Sequence, residues 1–178
     1  ALLSIRENYI KSLENLNVSE KIITDKMPVN FRMIGLILTA IPEAKIIHLT
    51  RNPKATCWSN YKHYFANENG FTFDQEDLAR FFILYQELMG FWHKSFPNKI
   101  HDISYERLTT HQEDETQKLL KYCELDWDNN CLNFHKNTRA VHTASASQVR
   151  QKMYQGSSDA WKKYEKFLQP LIMGLNQT

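Results

Sequence analysis

An α/β fold built on a parallel sheet is the class that this 178-residue sequence predicts. Strand-like and helix-like segments alternate along the chain, which implies parallel pairing through right-handed crossovers. One strand, 44–50 (AKIIHLT), is a near-continuous apolar run of the kind a sheet buries on both faces. It passes directly into Arg51-Asn52-Pro53 and a helical pattern, the type of strand exit at which α/β sheets place their ligands.

Taken in order, residues 4–16 carry Ile5, Tyr9, Leu13 and Leu16 at the three-and-four spacing of an amphipathic helix. Residues 21–25 read as a short strand. Pro28 opens a second helix with Phe31, Ile34, Leu38 and Ile41 on one face, and Pro42 stops it. After the 44–50 strand, Pro53 suits the first turn of a helix running to about Phe65. The turn-rich 67–74 loop (NENGFTFD) leads to a long helix over 75–95, striped by Leu78, Phe82, Tyr85, Leu88, Met89 and Trp92. That stripe reads as a core-facing surface, with nothing in it that calls for a cofactor. Residues 99–103 form the next strand and Tyr105 to Leu108 the turn of chain after it. Residues 111–125 are polar and helical over Leu119, Leu120 and Tyr122. Residues 138–153 lack periodicity and read as a long loop, a feature that in compact domains is usually functional or mobile. A terminal helix over 157–168 stops at Pro170.

Composition narrows the function. With 22 Lys plus Arg against 20 Asp plus Glu, a net charge of +2 argues against a general nucleic-acid binder but leaves room for a local basic pocket. No apolar run is long enough to span a bilayer. Three cysteines form no CxxC pair, and an odd number cannot pair completely, which favours a reducing compartment and the cytoplasm. Cys123 and Cys131 near His135 fit no common zinc spacing, so no metal is expected and the cysteines read as small buried residues.

The chemistry-bearing residues cluster at strand ends. Arg51 at the end of one strand and Ser59 on the helix beyond it bring guanidinium donors and a hydroxyl together, a pattern suited to phosphate. Lys26, just past the 21–25 strand, adds a second basic residue leaving a strand end, and the pair suggests a nucleotide site. The plainer reading pairs Arg51 with a carboxylate such as Asp25 and leaves Ser59 and Lys26 as surface residues.

The blocks DKMPVNF, IGLIL, IPEAKIIHLTRNP, TCWSNYKHYF, ISYERL, TASASQVRQKMY and a Trp followed by KKYE occur in the order found in sulfotransferases that use 3′-phosphoadenosine 5′-phosphosulfate (PAPS). From about Lys21 to about Leu171 the chain resembles the C-terminal part of that family, closest to a bacterial TPR-linked branch related to tyrosylprotein sulfotransferases. The resemblance implies a P-loop-NTPase-like three-layer fold with a parallel sheet. It also implies an enzyme that moves a sulfuryl group from PAPS to a hydroxyl of a protein, glycan or small molecule, without a metal and with TPR repeats upstream.

The same resemblance assigns residues. Arg51 and Ser59 match the 3′-phosphate motif, and His63 falls where a further basic residue often stands, although histidine is only partly charged near neutrality. Lys26 matches the lysine near the bridging oxygen of the donor, where it stabilises charge on the leaving phosphate. Tyr105 matches a residue near the adenine, with a core tyrosine as the alternative. Ser145 matches a serine that contacts the transferring group, with Ser147 and Ser157 as rival candidates, and Arg150 and Lys152 follow in the same loop. No general base is assigned: Glu7, Glu14 and His142 are only candidates by proximity in sequence or loop position.

One family element is absent from the sequence. The G-x-P-R-S-G-T-T loop that grips the 5′-phosphosulfate has no counterpart among Gly35, Gly70, Gly90, Gly156 and Gly174. Together with Ala1 as first residue, this leads to the expectation that 1–178 is a single, partial catalytic domain lacking the N-terminal strand and phosphate loop, inactive alone. The alternative is a non-catalytic, degenerate nucleotide-binding or interaction domain that keeps Arg51 and Ser59. A P-loop nucleotide kinase is a distant third, because the chain has no Walker sequence.

Overall fold

A computed structural model of the chain describes residues 2–16, 20–65, 69–138 and 148–176. Its helices are α1 (Leu2–Glu14), α2 (Ile34–Ala40), α3 (Pro53–Tyr61), α4 (Gln75–Ser95), α5 (Tyr105–Thr110), α6 (Gln112–Tyr122) and α7 (Gln169–Leu175). Two strands, β1 (Ile46–Thr50) and β2 (Ile100–Ser104), pair in one sheet, and 3-10 helices span Pro28–Met33, Gly70–Phe73, Asn129–Lys136, Gln148–Arg150 and Ser157–Phe167. The strands run parallel: His48 Nδ1 meets Asp102 Oδ1 at 2.6 Å, and further along Thr50 Oγ1 donates to the Ile103 carbonyl at 3.2 Å. The mixture of helices with a small parallel sheet agrees with the α/β expectation. The chain divides into two compact units, 1–46 with 85–100, and 47–84 with 101–178.

The first unit is organised by Ile34, Leu38, Met89 and Ile100, with Phe31, Tyr85, Trp92 and Phe96 packed against them. Trp92 anchors this cluster by donating its indole N–H to the Phe31 carbonyl at 2.8 Å. A Cβ at Gly35 would lie 2.6 Å from the Trp92 ring, so only glycine lets α2 approach it. Arg6 of α1 pairs with Glu43, whose carboxyl is drawn down to about 2 mainly by the guanidinium's hydrogen bond. On α1, Tyr9 and Leu13 are half-buried but Ile5 stays exposed, as does Leu16 just past the helix end.

Residues 22–27 depart from the strand expected over 21–25. The segment is exposed, and although Met27 has extended backbone (φ −131°, ψ 127°), it joins neither β1 nor β2. Extended conformation becomes a strand only when a neighbour takes its backbone hydrogen bonds. β1 also differs from expectation. Its burial alternates, leaving Ile47 45% and Leu49 56% exposed, so the described structure covers one face of the strand rather than two.

The second unit packs α3 against both the Ser157–Phe167 helix and α7. Leu78, Cys57, Leu168 and Leu171 are fully buried there, with Trp161 close behind. Close approach between α4 and α7 depends on Gly174, where a Cβ would fall 2.7 Å from Ala79 Cβ. The helix expected over 157–168 does end before Pro170, at Phe167, but it is not the last: Pro170 occupies the first turn of α7, where its missing N–H is no loss. Burial of Cys57 pushes its thiol up to about 12, so it behaves as a small core residue. Cys123 and Cys131 are only half-buried, not the buried residues expected.

A charged cluster fixes α5 to α6. Glu115, nearly buried, accepts from Lys118 Nζ at 2.8 Å and from Arg107 Nε and Nη2 at 3.0 and 2.9 Å. These hydrogen bonds, that from Lys118 first and Arg107 second, outweigh burial and hold the Glu115 carboxyl below its usual range. A carboxyl lowered on folding stabilises the protein above its unfolded pKa, and that contribution fades as pH falls through the folded value. Glu115→Gln is therefore expected to lower stability at pH 7, with the difference from wild type shrinking below about pH 4.5. Urea denaturation across pH measures it, and a pH-independent difference would contradict the assignment.

Candidate active site at the end of β1

The site begins where β1 gives way to α3. Asn52 caps the helix by accepting the Ala55 N–H on its side chain at 3.1 Å, and Pro53 fills the first turn. With its start fixed in this way, α3 presents Ala55, Trp58, Ser59 and Lys62 at the three-and-four spacing of a single face. These four residues and Arg51 line one side of a cleft of about 490 Å³. Tyr105, at the start of α5, and the segment from Tyr154 to Ser157 line the rest, together with Ala160. Gly156 lies in the left-handed region (φ 86°), which favours glycine at the point where the chain enters the Ser157–Phe167 helix.

Arg51 is held by neutral hydroxyls. Its Nε donates to Ser158 Oγ and its Nη2 to Ser157 Oγ, each at 3.2 Å, while the guanidinium carbon lies 4.8 Å from the Tyr105 ring centroid. Ser157 in turn donates to the Tyr105 hydroxyl at 3.0 Å, and Ser158 donates to Glu106 Oε1 at 2.5 Å. Glu106 also accepts the Asn52 backbone N–H at 3.0 Å and the Ser104 hydroxyl at 3.3 Å. Partial burial pushes the Glu106 carboxyl up, but the hydrogen bonds from Ser158, Asn52 and Ser104 together outweigh it and hold the group below its usual range. The arrangement keeps the Arg51 cation at the cleft on two serine hydroxyls, with no direct carboxylate partner among the described residues, and sets Ser59 and Lys62 beside it. Such a cleft suits a phosphate-bearing ligand.

The structure thus brings Arg51, Ser59 and Tyr105 to one cleft. His63 does not line it. The helix expected to reach Phe65 stops at Tyr61, so His63 lies past the last turn, exposed, with its ring 4.6 Å from that of Phe65. Lys62, at the helix end, supplies the cation on this wall instead. Arg150 is exposed in the Gln148–Arg150 turn and is not among the lining residues. Lys26 is exposed in the first unit, and Ser145 lies outside the described residues. Of the rival serines, Ser157 enters the cleft. Tyr105 has one ring face occupied by Arg51. Trp58, Lys62, Ser158 and Glu106 were not legible as site residues. The α3 face at 55, 58, 59 and 62 could have pointed to the first two.

A small parallel sheet whose strand exit delivers an arginine and a helix to a polar cleft defines a protein of the α/β class with a candidate ligand site at that exit. More particularly, residues 2–129 match the sulfotransferase family, and the chain belongs to it. It is also 39% identical over 174 residues to an uncharacterized protein of Aquifex aeolicus (strain VF5), an alignment covering 96% of this chain and 23% of that protein. The chain therefore spans about a quarter of the length of that relative. Among the described residues no helix is long and apolar enough to cross a membrane.

Proposed function

We propose that this chain is the part of a sulfotransferase catalytic domain that holds the 3′-phosphate end of PAPS, for transfer of the sulfuryl group to a hydroxyl acceptor. The observation that carries this reading is the convergence of Arg51, Ser59 and Lys62 on one cleft at the exit of β1, in a chain of the sulfotransferase family. A 3′-phosphate there accepts from the guanidinium, the hydroxyl and the ammonium group together, and Tyr105 forms part of the same wall.

In this reading Lys26 stabilises charge on the leaving 5′-phosphate as the S–O bond breaks, and Ser145 contacts the transferring sulfuryl group. His63 and Arg150 remain proposed outer contacts of the donor. Sulfuryl transfer needs an in-line acceptor and cations over the transferring group, so the protein contributes chiefly orientation and electrostatics. The acceptor is a protein tyrosine, a glycan or a small molecule, presented by TPR repeats in the longer polypeptide. The 5′-phosphosulfate loop is not within these residues, so the chain binds donor product without turning over donor.

Thermal unfolding with ligand tests this directly. A ligand that binds only the folded state raises the melting temperature with concentration. 3′-Phosphoadenosine 5′-phosphate (PAP) is expected to raise it more than adenosine 5′-phosphate (AMP), which lacks the 3′-phosphate. Equal shifts with the two ligands, or none with PAP, would overturn the proposal.

A further inference from the structure

We propose that Ser157 and Ser158 are positioning residues for Arg51: anchored on Tyr105 and Glu106, they fix the guanidinium so that its end-on Nη1/Nη2 pair is the one offered to an anion. The proposal rests on the cleft being the 3′-phosphate site as far as the ligand is concerned. The orientation itself stands on the hydrogen bonds.

An arginine at a strand exit has a long, flexible side chain, and holding it in one pose costs rotamer entropy unless its donors are satisfied. Arg51 spends Nε and Nη2 on the two serines, at 3.2 Å each. These donors lie on the same side-on edge of the guanidinium, so the pair of hydroxyls fills that edge as two oxygens of a carboxylate or phosphate would. Each hydroxyl then has a defined direction. It accepts from Arg51 and donates onward, Ser157 to Tyr105 at 3.0 Å and Ser158 to Glu106 at 2.5 Å.

Tyr105 contributes twice. Its hydroxyl receives Ser157, and its ring lies 4.8 Å from the guanidinium carbon. A ring beside the guanidinium and two hydroxyls along one edge together fix the orientation of a planar group. The edge left for a bidentate contact is the end-on pair. Because serines are neutral, they orient Arg51 without cancelling its charge. Glu106 acts through Ser158 instead of pairing with the guanidinium, and through the Asn52 N–H it ties the same relay to the start of α3. A direct carboxylate in place of Ser158 would neutralise the cation that the ligand needs.

The test compares wild type with Ser158→Ala and Ser158→Thr on the full chain, using two readouts. In wild type the Arg51 Nε–H gives a distinct, slowly exchanging side-chain signal by nitrogen-edited NMR; Ser158→Ala loses it, and Ser158→Thr, which keeps the hydroxyl, retains it. Calorimetry shows PAP binding weakened roughly tenfold by Ser158→Ala, the effect of one hydrogen bond to a charged group, with AMP binding unchanged. A purely structural role for Ser158 would weaken both ligands alike and overturn the proposal. So would an Nε signal absent from wild type or indifferent to Ser158→Ala, or its loss with PAP affinity unchanged. Tighter PAP binding by the alanine variant would show that the hydroxyl competes with the phosphate instead of aiming its partner. If wild type binds no PAP, the donor reading falls, and the Nε signal alone then decides whether Ser158 orients Arg51.

Discussion

Arg51→Ala weakens PAP binding by roughly 100-fold, the loss of about 2.7 kcal/mol expected when a bidentate, charge-assisted contact to a phosphate disappears. AMP affinity is expected to change by less than about threefold, because in the proposed site the missing contact is to the 3′-phosphate. Arg51→Lys recovers only part of the loss: an ammonium restores charge but cannot offer two parallel donors or the same stack on Tyr105. Equilibrium dialysis with both nucleotides measures the effect. A fold control is needed, since Arg51 also bonds Ser157 and Ser158. The variant should keep wild-type circular dichroism, because the carboxylate and tyrosine that anchor those serines remain in place. An Arg51→Ala variant that binds PAP as well as wild type would remove Arg51 from the site.

The second large effect concerns the scaffold. Leu171→Ala lowers the stability of the chain by about 3 kcal/mol, within the range for a fully buried leucine whose cavity relaxes only in part. Leu171 is 0% exposed on α7, and α7 packs on α3, the helix that carries Ser59 into the cleft. For a chain of this size the loss corresponds to a melting point lower by roughly 5–10 °C. Leu84→Ala is the matched control. Leu84 is 62% exposed on α4, so the same chemical change there alters stability by less than about 0.5 kcal/mol. Equal effects at the two positions in thermal melts would mean that the packing of α7 is not as described.

Which parts of this molecule can be read from sequence follows from the range of the interactions involved. α4 is legible to its ends because 21 residues carry a sustained apolar stripe, with acidic residues in its first turn and His93 and Lys94 in its last. Arg51 is legible because strand, arginine, Asn-Pro cap and helix are contiguous. The strand at 21–25 is not, since extended backbone needs a partner that local sequence cannot specify. The exposure of Ile47 and Leu49 is illegible for a similar reason: an apolar side chain records its preference, not what covers it. Pro170 carries two meanings, a stop for one helix and a first turn for the next, and both apply here, the second being the one that the sequence reading missed. The serine clamp is furthest out of reach. Ser157 and Ser158 lie 106 and 107 residues from Arg51, and nothing in the intervening pattern links them. His63 shows how a small boundary error moves a site residue. One more turn of α3 would carry it onto the face of Ser59, but the helix ends at Tyr61.

The most direct measurement is a backbone amide NMR titration of the labelled chain with PAP, repeated with AMP. PAP is expected to shift a compact set of amides around Ala55, Ser59, Lys62, Tyr105 and Ser157, and AMP to leave the Arg51 and Ser59 neighbourhood largely unmoved. Shifts centred elsewhere, or the same shifts from both nucleotides, would contradict the claim that the cleft at the end of β1 is built to hold a 3′-phosphate.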